Sequence, residues 1–338
     1  MTIARRLLLP LGLLLVALLL AAPAAQAQLG QIPGQNSPAS KDQVQLYNPT
    51  QDRIVGRVSI PDENAAVLIQ PEGREWREFR TSTLPMVSGV LIVGMLVLLA
   101  LFYFIRGTIR IKGGRSGRGF PRFGPIDRFV HWTTAVSFLV LALTGLTVTF
   151  GRTLLIPVMG YDAFSAVAET GKLAHNFFSV PFVFGIVLMV VLWIRDNIPE
   201  KADLIWLRTM GGLFSKTDKH PECGRFNAGQ KGIFWAVVLG GAALAVTGFM
   251  LMTPFSFAGV NGMQVVHVIH GVLAALMITL IIAHIYIGSI GMEGAFDAMG
   301  TGDVDENWAK DHHGRWYKEQ LEAMRAKGAP GFGPRAAE

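Results

Sequence analysis

The sequence predicts an all-α integral membrane protein that crosses the bilayer five times. Hydrophobic residues make up 51% of its 338 residues and charged residues only 16%, which sets it apart from ordinary soluble domains. Five apolar stretches are long enough for transmembrane helices, which need roughly 20 residues each. The last two lie in a segment without any Asp, Glu, Lys or Arg, between Gly232 and Met292.

Charge distribution and cysteine usage exclude several classes of function. The formal charge of +6 could suit nucleic acid, but the basic residues cluster in short loops beside apolar stretches, as the positive-inside bias predicts. We therefore expect contact with membrane lipid and no nucleic-acid partner. Cys223 is the only cysteine, which excludes an internal disulfide, a cysteine-ligated iron–sulfur cluster, a thiolate zinc site and covalent c-type haem attachment.

The N-terminus has the pattern of a secretory signal peptide. Residues 1–27 begin with Arg5 and Arg6, continue with an apolar run and end at Ala25-Gln26-Ala27. A short apolar run with a small-residue cleavage site predicts removal of this segment, and an uncleaved anchor helix is the alternative.

Residues 28–83 would then form an arm on the periplasmic side of the membrane. Its first part is rich in Gly, Pro, Ser, Asn and Gln, and two short strands are predicted at residues 54–60 and 66–70. The arm could dock an extracytoplasmic partner or serve as a solvated linker, and the sequence does not favour either.

Residues 84–106 form the first predicted span, which has no acidic residue and no histidine and is interpreted as an anchor. A basic segment follows it and places that end in the cytoplasm. The basic residues of this flank are Arg106, Arg110, Lys112, Arg115, Arg118 and Arg122.

A four-helix core is predicted within residues 124–292. The loop at residues 195–231 is rich in Lys and Arg and is placed in the cytoplasm, whereas the loop at 152–172 is placed outside. Residues 293–338 would form a cytoplasmic tail. The four spans of the core are predicted at residues 129–151, 173–194, 232–252 and 262–291.

Histidines within these spans are the candidate functional residues. A polar ring inside a membrane helix is costly and indicates function by default. His270 and His284 lie 284 − 270 = 14 positions apart on the last span, which is about four turns and roughly 21 Å of rise on nearly one face. One helix therefore presents a ring nitrogen near each membrane surface.

The predicted depth of two further histidines in the membrane assigns each of them to one of these two. His131 would share the inner level with His284, and His175 the outer level with His270. Two imidazoles from two helices are what a non-covalent b-type haem requires, so these four residues predict two haem b groups. The fold class is thus a four-helix di-haem cytochrome b core plus one extra N-terminal transmembrane helix. Each histidine alone could instead bond a neighbouring helix.

The other histidines are assigned less direct roles. His267 lies 270 − 267 = 3 residues from His270, so it could replace it as the outer ligand or bond a haem propionate. The 14-residue spacing to His284 favours His270. Surface positions are predicted for His220, His312 and His313.

Polar residues also begin the fourth span, at its cytoplasmic end. The side-chain amides of Asn227 and Gln230 could hydrogen-bond a quinone carbonyl. Asn227 could equally cap the helix, and the residues alone favour capping.

Five motifs follow one another between about residues 124 and 321. They are Ile-Asp-Arg-Phe-Val-His-Trp at 126–132, Gly-Lys-Leu-Ala-His at 171–175, Asn-Ala-Gly-Gln-Lys at 227–231, the helix with His270 and His284, and Trp-Ala-Lys-Asp-His-His-Gly-Arg-Trp-Tyr at 308–317. In this order they resemble the gamma subunit of membrane-bound formate dehydrogenases. A subset of this family has only four spans, so the signal peptide, the arm and the first span depart from that pattern.

This resemblance implies cofactors, partners and location. The matching histidines would ligate two b haems in the same pairs, and Asn227, Gly229 and Gln230 beside His284 would line a quinone pocket. An iron–sulfur subunit would deliver electrons from a molybdenum or tungsten catalytic subunit outside, and quinone would be reduced near the inner haem. The location implied is the bacterial inner membrane.

Alternative functions remain open from the residues. The chain could be the cytochrome b subunit of a hydrogenase or another molybdenum oxidoreductase, or a non-redox membrane anchor whose histidines only bond neighbouring helices. A transporter is disfavoured because the last two spans carry no carboxylate. The sequence contains no nucleophile–base pattern or phosphate loop, so substrate oxidation is expected on a partner polypeptide.

Overall fold

The computed structural model describes residues 71–212 and 222–326. The predicted signal peptide, the first part of the arm with its two strands, and His220 lie outside the described residues. The prediction of an all-α membrane protein with five spans is confirmed, since five described helices are long and apolar enough to cross a membrane. These helices are Glu75–Arg106, Pro125–Leu154, Ile156–Trp193, Ala228–Met252 and Val260–Gly291.

The first described helix lies within the predicted arm. Helix α1 (Pro71–Glu78) runs through a π-helical turn (Phe79–Thr83) into α2 (Leu84–Arg106), so the end of the arm is helical rather than extended. The remaining helices are α3 (Pro125–Leu154), α4 (Ile156–Trp193), α5 (Lys201–Arg208), α6 (Ala228–Met252), α7 (Val260–Tyr286), α8 (Asp297–Gly300), α9 (Glu306–His312) and α10 (Gly314–Ala326).

Helix α4 is longer than the predicted span. The loop expected at residues 152–172 is helical almost throughout, and only Leu155 separates α3 from α4. Gly160, with φ 78°, interrupts the helical dihedral angles, a conformation that favours glycine. Pro181 lies inside α4, and Gly160 is the residue of this helix with non-helical angles.

The chain divides into two compact units. Of the described residues, the first contains 71–86 together with Thr247–Ile269. Among its described residues, the Trp76 ring packs edge-on against His267 with the ring centroids 5.6 Å apart. The Arg80 guanidinium lies 5.5 Å from the centroid of Trp76. Trp76 thus brings the end of the arm against the His267 ring.

The second unit contains Val87–Val246 and His270–Glu338. Its polar tail is folded onto the segment after α2, because β1 (Gly119–Pro121) pairs antiparallel with β2 (Asp303–Asp305). Phe120 is fully buried there. The tail also contains α10, whose first turn buries the aromatic side chains of Trp316 and Tyr317.

The prediction that His312 and His313 lie at the surface was wrong, since both are buried. His313 Nδ1 donates to the Gly224 carbonyl (2.9 Å), which leaves Nε2 to accept from the Arg122 guanidinium (3.2 Å). Burial, and then the charge of Arg122, holds the pKa of His313 well below its ordinary value. A neutral His313 therefore joins the tail to the loop before α6. Sequence polarity missed this because the partners lie about 90 and 190 positions away.

Candidate functional site

His131 and His284 face each other across two helices of the second unit. His131 lies in the second turn of α3 and His284 in the last turn of α7. Their ring centroids are 6.3 Å apart and their ring planes are inclined by 59°. His131 Nδ1 is buried and has no hydrogen-bond partner among the described residues. That ring nitrogen is open to a ligand that the protein itself does not supply.

Local sequence fixes the helix that carries His131. Pro125 occupies the first turn of α3, where its missing N–H costs no hydrogen bond. The Gly124 N–H donates to the Asp127 carboxylate (3.0 Å), whose other oxygen accepts from the Trp193 indole at the end of α4 (2.6 Å). The first turns of α3 are therefore tied to the neighbouring helix.

His175 and His270 form a second pair with nearly the same geometry. Their ring centroids are 6.4 Å apart and the planes are inclined by 58°. The Thr144 hydroxyl donates its single proton to the Val140 carbonyl (2.7 Å), so it accepts from His175 Nδ1 at 2.8 Å. This hydrogen bond leaves the Nε2 lone pair of His175 for a ligand.

The spacing within each pair fits a metal between the two rings. A histidine nitrogen lies about 2.0–2.1 Å from zinc, with similar values for iron, and the ring centre lies about 1.1 Å beyond, so two rings on opposite sides of one iron have centres roughly 6.3 Å apart. The measured separations are 6.3 and 6.4 Å. The described residues contain no group of three His, Cys, Asp or Glu that could hold a metal.

The residues predicted to bind quinone form a helix cap. The Asn227 side-chain oxygen accepts from the Gln230 N–H (3.0 Å), and the Gln230 side-chain oxygen accepts from the Asn227 N–H (3.1 Å). This reciprocal arrangement satisfies two N–H groups at the start of α6. The side-chain NH₂ groups of both residues have no hydrogen bond among the described residues, so they could donate to a carbonyl oxygen.

Gly229 lies against an aromatic side chain of α5. A Cβ added at Gly229 would stand 2.8 Å from Trp206 Cη2, so the absence of a side chain permits this close approach. Trp206 also lies against Gly211, whose φ is +67°. The structure brings Asn227, Gly229 and Gln230 together in one turn, and it brings His284 together with His131.

An ion cluster at the start of α6 was not predicted. The Lys231 ammonium donates to the carboxylates of Glu200 (3.1 Å) and Asp203 (2.9 Å). Lys231 is only 5% exposed. The local sequence places Lys231 at the end of a basic loop and does not indicate these ion pairs, because the partners lie about 30 positions earlier in the chain.

Long apolar helices with two facing pairs of histidine rings fit a multi-pass membrane cytochrome of the b type. The chain belongs to the prokaryotic cytochrome b561 family, whose model matches residues 122–302. This family implies haem b as the cofactor. The predicted core at residues 124–292 lies inside the matched range.

Three similar proteins are cytochrome b556 subunits of formate dehydrogenases. The nitrate-inducible formate dehydrogenase cytochrome b556(Fdn) subunit of Escherichia coli K12 is 32% identical over 207 residues, which are 60% of this chain and 91% of that protein. The formate dehydrogenase cytochrome b556(fdo) subunit of the same strain is 29% identical over 61% of this chain and 95% of that protein. The formate dehydrogenase cytochrome b556 subunit of Haemophilus influenzae is 27% identical over 57% and 80%. The resemblance to the gamma subunit family is confirmed.

Proposed function

We propose that this chain is the membrane cytochrome b subunit of a formate dehydrogenase complex and passes electrons to membrane quinone. The observation that carries the proposal is the repeated ring geometry of two histidine pairs, with centroids 6.3 and 6.4 Å apart. The similarity to three formate dehydrogenase cytochrome b556 subunits supports the choice of complex. Formate oxidation itself would occur on a partner subunit.

His131 and His284 would hold one haem b, and His175 and His270 a second. Bound haem supplies reversible one-electron redox chemistry. The protein holds the rings in place from two helices each, and Thr144 orients His175 so that Nε2 faces away from the hydroxyl. Since α7 is a continuous helix between its two histidines, the two sites are separated by roughly 21 Å of helix rise.

The direction of electron transfer follows from the predicted topology. Basic residues flank the cytoplasmic ends of the spans, so residues 28–83 would be periplasmic after removal of residues 1–27. Residues 84–106 would anchor the chain, residues 124–292 would form the di-haem core, and residues 293–338 would be cytoplasmic. An iron–sulfur subunit and a molybdenum or tungsten catalytic subunit would deliver electrons from the periplasmic side of a bacterial inner membrane.

Quinone would bind at the cytoplasmic end, beside Asn227, Gly229, Gln230 and His284. Quinone carbonyl oxygens accept hydrogen bonds, and the two side-chain NH₂ groups of Asn227 and Gln230 are donors without acceptors among the described residues. The cap hydrogen bonds hold both side chains by their oxygens. Helix capping would thus orient the two amides for a ligand.

Purification with native partners tests this function. We expect two haems per chain, reduction of their absorption bands by formate, and reoxidation by quinone that slows in the Asn227→Ala variant. Alanine at all four histidines should abolish the bands. Co-purification of a hydrogenase large subunit would reassign the complex, and a chain without dithionite-sensitive bands would refute the cytochrome function.

A further inference from the structure

A polar cavity of about 640 Å³ lies beside the start of α6. Its walls come from the segment around α5, the loop before α6 and the helix α10. Most of its lining is charged, which distinguishes it from the lipid-facing surface of the spans. The charged residues that line it are Arg122, Arg195, Asp196, Glu200, Arg225, Lys231, Arg315 and Glu319.

Lys231 is a buried cation in the wall of this cavity, as is Arg122. Its ammonium donates to the Ile198 carbonyl (3.1 Å), to Glu200 (3.1 Å) and to Asp203 (2.9 Å). Three hydrogen bonds and two opposite charges offset the cost of burying the ammonium. The Arg315 guanidinium donates to the same Glu200 oxygen at 2.6 Å, and this hydrogen bond is the main cause that lowers the pKa of Glu200.

Asp203 retains capacity for one more hydrogen bond inside the cluster. Its Oδ2 accepts from Lys231 and from the Glu200 N–H at 2.7 Å. Its Oδ1 is buried and has no hydrogen-bond partner among the described residues. A buried carboxylate oxygen without a donor is costly, so this oxygen is a place for a water molecule.

The cluster adjoins the proposed quinone site through two elements. The Lys231 N–H donates to the Asn227 carbonyl at 2.9 Å, so Lys231 lies one turn after Asn227 on the same side of the helix. Helix α5 carries Asp203 and Trp206 three positions apart on one face, and it brings the first to Lys231 and the second to Gly229. The same helix therefore contacts the cluster and the proposed site.

Reduction of a quinone to a quinol takes two electrons and two protons. Under the proposed function the electrons come from formate oxidation on the partner subunits, and the protons must come from water. We propose that Lys231, held by Asp203 and Glu200, delivers protons from the polar cavity to quinone bound at Asn227 and Gln230. This inference rests on the proposed function.

In each transfer Lys231 gives up one of its three Nζ–H hydrogen bonds, that Nζ–H bond breaks, and an O–H bond forms on the reduced quinone. The nitrogen keeps the electron pair, and water in the cavity returns a proton to the amine. Glu200 and Asp203 face Lys231 from the segment around α5, and Arg315 faces it through Glu200 from α10. The Cys223 thiol stays neutral, because burial raises its pKa to about 11.

The rival interpretation is that Lys231 only ties α5 to α6. Lys231→Arg separates the two, because a guanidinium keeps both ion pairs but is not deprotonated in proteins. If Lys231 delivers protons, Lys231→Arg should reduce quinone slowly. If Lys231 only joins the two helices, the rate of quinone reduction should be almost unchanged. Positioned proton transfer contributes about 10²–10⁴-fold to rates, so we expect kcat for formate-dependent reduction of decylubiquinone to fall at least about tenfold.

The experiment uses the complete complex and four readouts: kcat, KM for quinone, the solvent deuterium isotope effect on kcat, and the dithionite-reduced haem bands. In Lys231→Arg we expect a lower kcat with a larger isotope effect, and unchanged KM and bands. Lys318→Arg is the matched control, since Lys318 is exposed and forms an ion pair with Glu222 at 2.6 Å away from the cavity lining.

Glu200→Gln provides a second variant that leaves the Asp203 ion pair intact, and it should also slow kcat and raise the isotope effect. Wild-type kcat and isotope effect in Lys231→Arg, or in Glu200→Gln if the arginine variant does not assemble, would overturn the inference. The proposed function would survive that result if Asn227→Ala still slowed quinone reduction. Wild-type complex that reduces no quinone would overturn both.

Discussion

The hydrogen bond between the Thr144 hydroxyl and His175 allows the His175 site to be tested by removal of a single hydroxyl group. Thr144→Val keeps the side-chain shape and removes the acceptor that lies 2.8 Å from His175 Nδ1. The lost hydrogen bond is worth about 0.5–1.5 kcal/mol, or roughly 2–13-fold in an equilibrium constant. Loss of such supporting partners typically lowers metal affinity about 10–100-fold. The two ranges overlap near tenfold, which is the expected drop in haem affinity at the His175/His270 pair.

The assay is haem titration of the purified variant, followed by reduced-minus-oxidised absorption spectra. One haem per chain should bind about tenfold more weakly while the other is unchanged, and Thr144→Ser should restore affinity. Thr147→Val is the matched control on the same helix, since the Thr147 hydroxyl donates to the Leu143 carbonyl (2.9 Å). Equal affinity in wild type and Thr144→Val, or equal losses at both positions, would refute the role of this hydrogen bond.

Two further predictions concern the tail and the start of α6. Burial alone would raise the pKa of Glu306, but hydrogen bonds, that from Lys310 first, lower it below its ordinary value. Glu306 therefore stabilises the fold above about pH 4.5, and this stability is lost as the pH falls through the folded-state pKa. The Glu306→Gln variant should show a weaker dependence of its unfolding temperature on acid pH. An unchanged dependence of the unfolding temperature on pH would contradict this role of Glu306. Gly229→Ala should slow quinone reduction several-fold without loss of haem, because its Cβ would stand 2.8 Å from Trp206. Gly232→Ala, with no atom within 4 Å, is the control, and equal rates in the two variants would exclude the steric effect.

Hydrophobic length and helical spacing predicted the spanning helices and the arrangement of candidate ligands. A bilayer requires long apolar helices, so the number of long apolar stretches in the sequence predicts the number of spanning helices. The 14-residue interval between His270 and His284 predicted two levels, and the pairing by depth matches the ring contacts of the structure. Whether iron binds there stays a prediction.

Contacts between distant parts of the chain were not predictable from local pattern. Gly119–Pro121 pairs with Asp303–Asp305 across some 180 positions, and polarity alone indicated an exposed tail. The ion pairs of Lys231 are likewise hidden from local pattern, because its partners lie about 30 positions earlier in the chain. The helical start of α4 was missed because apolar periodicity, not helix propensity, defined the span, and Gly160 and Gly171 weakened the helical pattern.

The choice between capping and quinone binding at Asn227 illustrates a limit of sequence reasoning. In the sequence the two roles are alternatives, because both use a side-chain amide at a helix start. In the structure the oxygens of Asn227 and Gln230 accept backbone N–H groups, and the amide nitrogens keep their donors. A primary amide has an acceptor end and a donor end, so the roles are compatible. Capping holds each amide in one orientation, and that orientation presents donors to a ligand whose carbonyl oxygens can only accept.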